Sequence, residues 1–283
     1  MIHVSRPIAI GLLLGTIAAT FLWVAAKAPI SQNLLYHNFA DQRSFVGIPN
    51  TLDTVSNIVF FLAGGAGILL LTRRKPRTIS SSSPSPEFVP ASAPISGPTP
   101  VIRPEELPVY LTFFVGVFLV GLGSTWYHLW PSNTSLVWDR FSMTIAFLPI
   151  GLMPIVERIN ARIANIMLLP ILLLGLGSVW YWHITESAGA GDLRPYLFVR
   201  VIPLFLLLVA TLTFPPRYTH GYEPFIGIGF FALATIAEKM DREIFTWLGF
   251  MSGHTLKHLL AGFGAYRIVL MLTRRKPVSN HHA

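Results

Sequence analysis

Pro108-Val-Tyr-Leu-Thr-Phe-Phe-Val-Gly-Val-Phe-Leu-Val-Gly-Leu-Gly-Ser-Thr-Trp-Tyr-His-Leu-Trp130 is the stretch that decides what kind of molecule this chain is. It runs from Pro108 to Trp130 without an Asp, Glu, Lys or Arg. About 20 apolar residues, rising 1.5 Å each, cross the roughly 30 Å of a bilayer's hydrocarbon. The stretch therefore reads as a membrane-spanning helix. Seven others resemble it, at 7–26, 54–72, 137–156, 161–183, 195–214, 223–238 and 246–272. Together they predict an all-α, polytopic membrane helix bundle of eight spans. The run at 223–238 is the shortest and ends in the charged patch Glu238-Lys-Met-Asp-Arg-Glu243. The first run has the outline of a signal peptide, with Ala26-Lys27-Ala28 as a cleavage site, but its apolar length favours an uncleaved anchor.

Composition agrees. Of the 283 residues 52% are apolar and 12% charged, against about 25% charged in a soluble domain. Without a cysteine there is no disulfide scaffold, iron–sulfur cluster, thiolate zinc site or cysteine nucleophile. The 21 basic residues against 13 acidic ones do not point to nucleic acid, because most of them flank the apolar runs. With eight spans, twelve basic residues, among them Arg73, Arg74, Lys75, Arg274, Arg275 and Lys276, fall on one side of the membrane and five on the other. The positive-inside rule then predicts both termini in the cytoplasm. Residues 1–30 form an anchor helix, 31–272 the main transmembrane domain and 273–283 a cytoplasmic tail. Within the main domain, 73–107 is expected to be a disordered cytoplasmic linker. Its Ser/Pro-rich centre cannot bury enough apolar area to offset chain entropy.

Ionisable groups inside spans are expensive and usually functional. The third span ends Gly121-Leu-Gly-Ser124-Thr-Trp-Tyr-His128, and the fourth begins Val137-Trp-Asp139-Arg-Phe-Ser-Met143. The eighth carries Gly253-His254-Thr-Leu-Lys-His258, and the second opens Leu52-Asp53-Thr-Val-Ser56-Asn57. His254 and His258 lie four apart on one helix face, a spacing that suits two ligands of one zinc ion and equally an interhelical hydrogen-bonded pair. Ser124 and His128 repeat the offset. Asp139 reads as a functional carboxylate, a cap or a partner for Arg140. Alternation of the spans brings all these groups to one level, in the non-cytoplasmic half. Arg200 and Lys257 read as side chains near span ends that snorkel to water. Arg267 lies deeper and calls for an interhelical or headgroup partner. His183, in a near repeat of the third span's ending, reads as packing or interfacial.

These residues resemble the alkaline ceramidase family, within a wider superfamily of adiponectin-receptor-like and GPI-remodelling membrane hydrolases. The superfamily pattern is a Ser followed three intervening residues later by a His, a downstream Asp and a late His-x-x-x-His. Here it is matched by Ser124…His128, Asp139 and His254…His258. Asn57 fits the early polar position, and Gly-Ser-Thr-Trp-Tyr-His with Trp-Asp-Arg-Phe-Ser-Met is closer to ceramidases than to the receptor-like branch. The likeness covers roughly residues 36–272, and implies a seven-helix ceramidase-like core plus the added first helix. Animal members carry an acidic calcium cluster ahead of the Asn. Here Tyr36–Ser44 holds a single carboxylate, Asp41, so calcium is not carried over, and the segment resembles bacterial ceramidase-like proteins.

The resemblance implies zinc on His128, His254 and His258, with an open position for substrate. Asp139 would act as general base and then acid, and Ser124 would hydrogen-bond the attacking water or the oxyanion. Ser56 and Asn57 would serve as supporting residues around the ligands or as structural ones. The implied substrate is a ceramide-like lipid amide entering from the bilayer. The rival reading is a receptor or sensor of the same superfamily with little or no hydrolysis. Haem is a poor fit, because His254 and His258 sit one turn apart and cannot both be axial.

Overall fold

The computed structural model describes residues 5–72 and 100–278. In hydrocarbon a backbone amide can pair only within its own helix or in a closed barrel, and every apolar run is helical. In chain order the helices are α1 (Arg6–Ala25), α2 (Thr51–Val55), α3 (Ile58–Thr72), α4 (Leu107–Leu129), α5 (Asn133–Pro154), α6 (Ala161–Ser187), α7 (Arg194–Thr213), α8 (Glu223–Lys239), α9 (Asp241–Leu248) and α10 (Gly253–Arg274). Among the described residues, seven helical stretches are long and apolar enough to cross a membrane, α2 with α3 making one of them. The chain is a multi-pass membrane protein. The run at 223–238 becomes α8, which at 17 residues falls short of the roughly 20 needed for a full apolar crossing.

The ends of the helices follow local chemistry. Proline sits in the first turn of α1, α4, α7 and α8, where its missing N–H is no loss. Ser132, Asn160 and Ser252 cap α5, α6 and α10 through their side-chain oxygens. Pro154 closes α5 and is followed by a π turn, Ile155–Ile159. The expected span 246–272 is not one helix. Gly249, at φ 72°, ends α9 in the left-handed region, and Ser252 starts α10 afresh.

Two further expectations need correcting. In the proposed linker 73–107, residues 73–99 lie outside the described residues, but the stretch from Val101 onward is folded. Val101 N–H donates to Leu272 O (2.9 Å), Ile102 is buried, and Glu106 accepts from Arg103 Nε (2.6 Å). In the tail, Thr219 N–H donates to Lys276 O and Val278 N–H to Arg217 O. Both pieces are held because each meets polar partners at the edge of the bundle; residues 279–283 lie outside the described residues.

α4 and α5 form the most intimate pair, with α3 packed beside α4, α10 beside α3, and α6 and α7 beside α5. α8 lies along α10 and scarcely touches α7, while α1 lies along α7. Inside a bilayer, packing depends on close approach rather than on expelling water, and glycine permits it where the site is built. A Cβ on Gly123 would come within 2.6 Å of Trp138 O, so its absence lets the ends carrying Ser124 and Asp139 meet. A Cβ on Gly253 would come within 2.1 Å of Ala237 O, so the start of α10 nests against α8.

Candidate metal centre

His128 projects from the last turn of α4, and His254 and His258 from the first turns of α10. All three are buried, and one nitrogen from each can be chosen so that the three lie within 4.8 Å of one another. The ring centroids form a near-equilateral triangle with sides of 4.8, 5.1 and 4.9 Å. Both nitrogens of His128 are buried without a hydrogen-bond partner among the described residues. Leaving a buried polar atom unpaired costs about 1–3 kcal/mol; a cation shared by the three rings would remove that penalty. Three imidazoles without a thiolate also match the donor set of an open metal site. The residues therefore fit a metal ion.

Their surroundings orient the rings. Ser56 Oγ donates its proton to Asp53 O (3.0 Å) and so accepts from His258 Nδ1–H at 2.8 Å, which turns the Nε2 lone pair towards the other rings. Asn50 Nδ2 donates to His128 O (2.8 Å). Asp53 Oδ1 accepts from Ser252 Oγ (2.8 Å) and Thr255 Oγ1 (2.5 Å), tying α2 to the first turn of α10. Asp241 accepts from His254 N–H (2.7 Å) through one oxygen and from Ala40 N–H (2.9 Å) through the other. That second bond anchors a covering segment whose Phe39 ring lies 4.6 Å from His128 and 5.2 Å from His254. In the same segment Asp41 is clasped by Arg43 through both oxygens, which holds its carboxyl below the usual carboxylate range.

A cavity reaches the trio at His258 and extends into the bundle. Ser124, Asp139 and His258 line one end together with Tyr36, Glu238 and Lys257. Met143, Phe147, Ile150 and Phe231 line its middle, and Glu157, Arg158 and Tyr218 its far end. Neither the Asp139 carboxylate nor the Ser124 hydroxyl makes a hydrogen bond among the described residues. Asp139 is not paired with Arg140, which instead donates to Gln32 Oε1 and stacks over Trp182 at 4.0 Å and Tyr196 at 5.1 Å.

The structure thus brings together the three His, with Ser56 on His258 and with Ser124 and Asp139 in the adjoining cavity. Asn57 stands apart: its amide donates to Asp53 O and Thr54 O in its own helical segment. His183 packs beside Trp180 and does not line the cavity. Arg267 has its interhelical partner, a two-pronged pair with Glu223 at 2.6–3.0 Å. Arg200 and Lys257 line the cavity rather than serving only as snorkelling span-end residues. Phe39 and Asp241 were missed in the sequence because their roles depend on how a loop and a helix junction fold over the rings. Ser252, by contrast, carried a visible signal as a Ser three residues ahead of Thr255. Compared with known proteins, the chain matches no family model, no characterised protein and no solved structure.

Proposed function

We propose that the protein is a zinc-dependent membrane hydrolase that cleaves the amide bond of a ceramide-like lipid, releasing a fatty acid and a sphingoid base. One observation carries this reading: a buried three-imidazole cluster adjoins, through His258, an apolar-walled cavity that is also lined by a carboxylate and a hydroxyl, Asp139 and Ser124, without hydrogen bonds among the described residues. Zinc bound in such a site supplies Lewis acidity, polarising a carbonyl and making water a stronger acid.

The chain's own groups do the rest. Asp139, free of any ion pair, takes the proton from the attacking water and returns it to the leaving nitrogen. Ser124 donates a hydrogen bond to the oxygen that gains negative charge as the carbonyl carbon becomes tetrahedral. Phe39 and its loop cover the imidazoles, which favours entry of the lipid from within the bilayer. The scant contact between α7 and α8 supports that side of the cavity as the entrance. α8, though short, runs antiparallel along α10, with Ala237 beside Gly253 and Phe230 beside Gly264, and so supports an eighth crossing. With it the positive-inside pattern puts both termini in the cytoplasm and the imidazoles near the opposite face.

The test is hydrolysis of a short-chain fluorescent ceramide by purified protein and by Asp139→Asn. The variant is expected to keep its metal and lose about a hundredfold to ten-thousandfold in kcat. Unchanged turnover would remove Asp139 from the mechanism. Metal in the wild type with no turnover of any lipid amide would favour the receptor-like alternative.

A further inference from the structure

Four polar side chains sit beside the imidazoles in the same cavity: Tyr36, Arg200, Glu238 and Lys257. Glu238 Oε1 accepts from Lys257 Nζ (2.7 Å) and from Tyr36 OH (3.0 Å). Its other oxygen lies 4.0 Å from Arg200 Nη2. Lys257 is therefore committed to Glu238, with His254 Nε2 as a second partner at 3.3 Å. Arg200 makes no hydrogen bond among the described residues, although its side chain is only 33% exposed.

The charges nearby do not complete Arg200. Among the side chains lining this end, Asp139 and Glu238 match Arg200 and Lys257 in charge, and neither carboxylate hydrogen-bonds the guanidinium among the described residues. The Asp53 and Asp241 carboxylates face the start of α10, where they take hydroxyl and amide donors, and they do not line the cavity. A guanidinium held in largely apolar surroundings without hydrogen bonds is costly unless a ligand completes it. A guanidinium with free donors matches a phosphate or carboxylate in two-pronged geometry. Arg200 stands on α7, at the side of the cavity where α7 and α8 scarcely touch.

We propose that Arg200 is an anion-recognition residue and that the preferred substrate is an anionic N-acyl lipid, bearing a phosphate or carboxylate near the scissile amide. The inference rests on the hydrolase reading above and narrows its substrate class. Glu238, braced by Lys257 and Tyr36, sets the position of the guanidinium and keeps it from collapsing onto Asp139.

The experiment compares a short-chain ceramide with the same ceramide carrying a 1-phosphate, and adds an N-acylglycine as the carboxylate probe. The wild type is expected to favour the charged lipids in kcat/KM. In Arg200→Ala the ratio of charged to neutral should fall about tenfold to hundredfold, with Arg200→Lys between the two. A purely structural role for Arg200 would lower all substrates together and leave the ratio unchanged, which overturns the proposal. Binding of the same three lipids to Asp139→Asn protein, measured in detergent, separates the two levels. A charge preference in binding that is lost with Arg200→Ala, while the wild type hydrolyses none of the three lipids, would sink the enzyme and keep the subsite. Equal binding of charged and neutral lipids would sink the subsite.

Discussion

Two buried polar clusters occupy opposite ends of the bundle and differ in one respect. Around Arg275, 1% exposed, donors and acceptors pair closely. Its Nε donates to Val101 O (2.6 Å), Nη2 to Glu106 Oε2 (3.1 Å) and Nη1 to Tyr110 OH (3.3 Å) and to Glu157. Tyr218 OH donates to Glu106 (3.0 Å), and its ring stacks 4.0 Å from the guanidinium. Around the imidazoles, His128 has two unpaired nitrogens, and Ser124, Asp139 and Arg200 have no hydrogen bonds among the described residues. A satisfied network holds helices together; one left unsatisfied beside a cavity is shaped for something it binds.

The contrast can be broken at either end. Arg275→Ala leaves Glu106 to Arg103 and Tyr218 and leaves Glu157 with only the Tyr110 hydroxyl beside it, and is expected to destabilise by up to about 3–5 kcal/mol. Metal content per folded chain should be unchanged. A thermal midpoint like the wild type's would deny that cluster its structural role. Ser56→Ala removes the acceptor that orients His258, and should weaken metal affinity about 10- to 100-fold in a chelator competition with little change in fold. Affinity equal to the wild type's would show that the ring is held by packing alone.

The smallest effect belongs to the covering loop. Arg43 is 54% exposed, so Asp41→Asn should lower stability by no more than about 1 kcal/mol. Because Arg43 depresses the Asp41 pKa, the pair's contribution is complete above the ordinary carboxylate pKa of about 3.9. It is lost as the pH falls below that value through the folded-state pKa. Unfolding of wild type and Asp41→Asn followed against pH should therefore converge only in acid; a constant difference down to low pH would contradict the pairing.

The imidazoles were legible because the spacing of His254 and His258 sets their common face and alternation of the spans sets their level with His128. Depth along a helix can be counted in a sequence, but direction around its axis cannot without the neighbours. That is why Arg200 and Lys257 read as snorkelling side chains and proved to line the cavity. The break between α9 and α10 was written in Gly249 and Ser252, yet the apolar Phe245-Thr-Trp-Leu-Gly-Phe250 carried the hydropathy straight across it. The Arg275 cluster was not legible at all. Its partners Glu106 and Glu157 lie more than a hundred residues away in the chain, and the segment carrying Val101 borders a tract with no helical pattern.

The measurement that bears most directly on the account is elemental metal analysis of detergent-purified wild type beside His128→Ala, the imidazole that α4 contributes to α10. Close to one zinc per chain in the wild type and almost none in the variant is the expected result. Full metal content in His128→Ala, or a folded wild type that takes up no metal when supplied with it, would contradict the shared site.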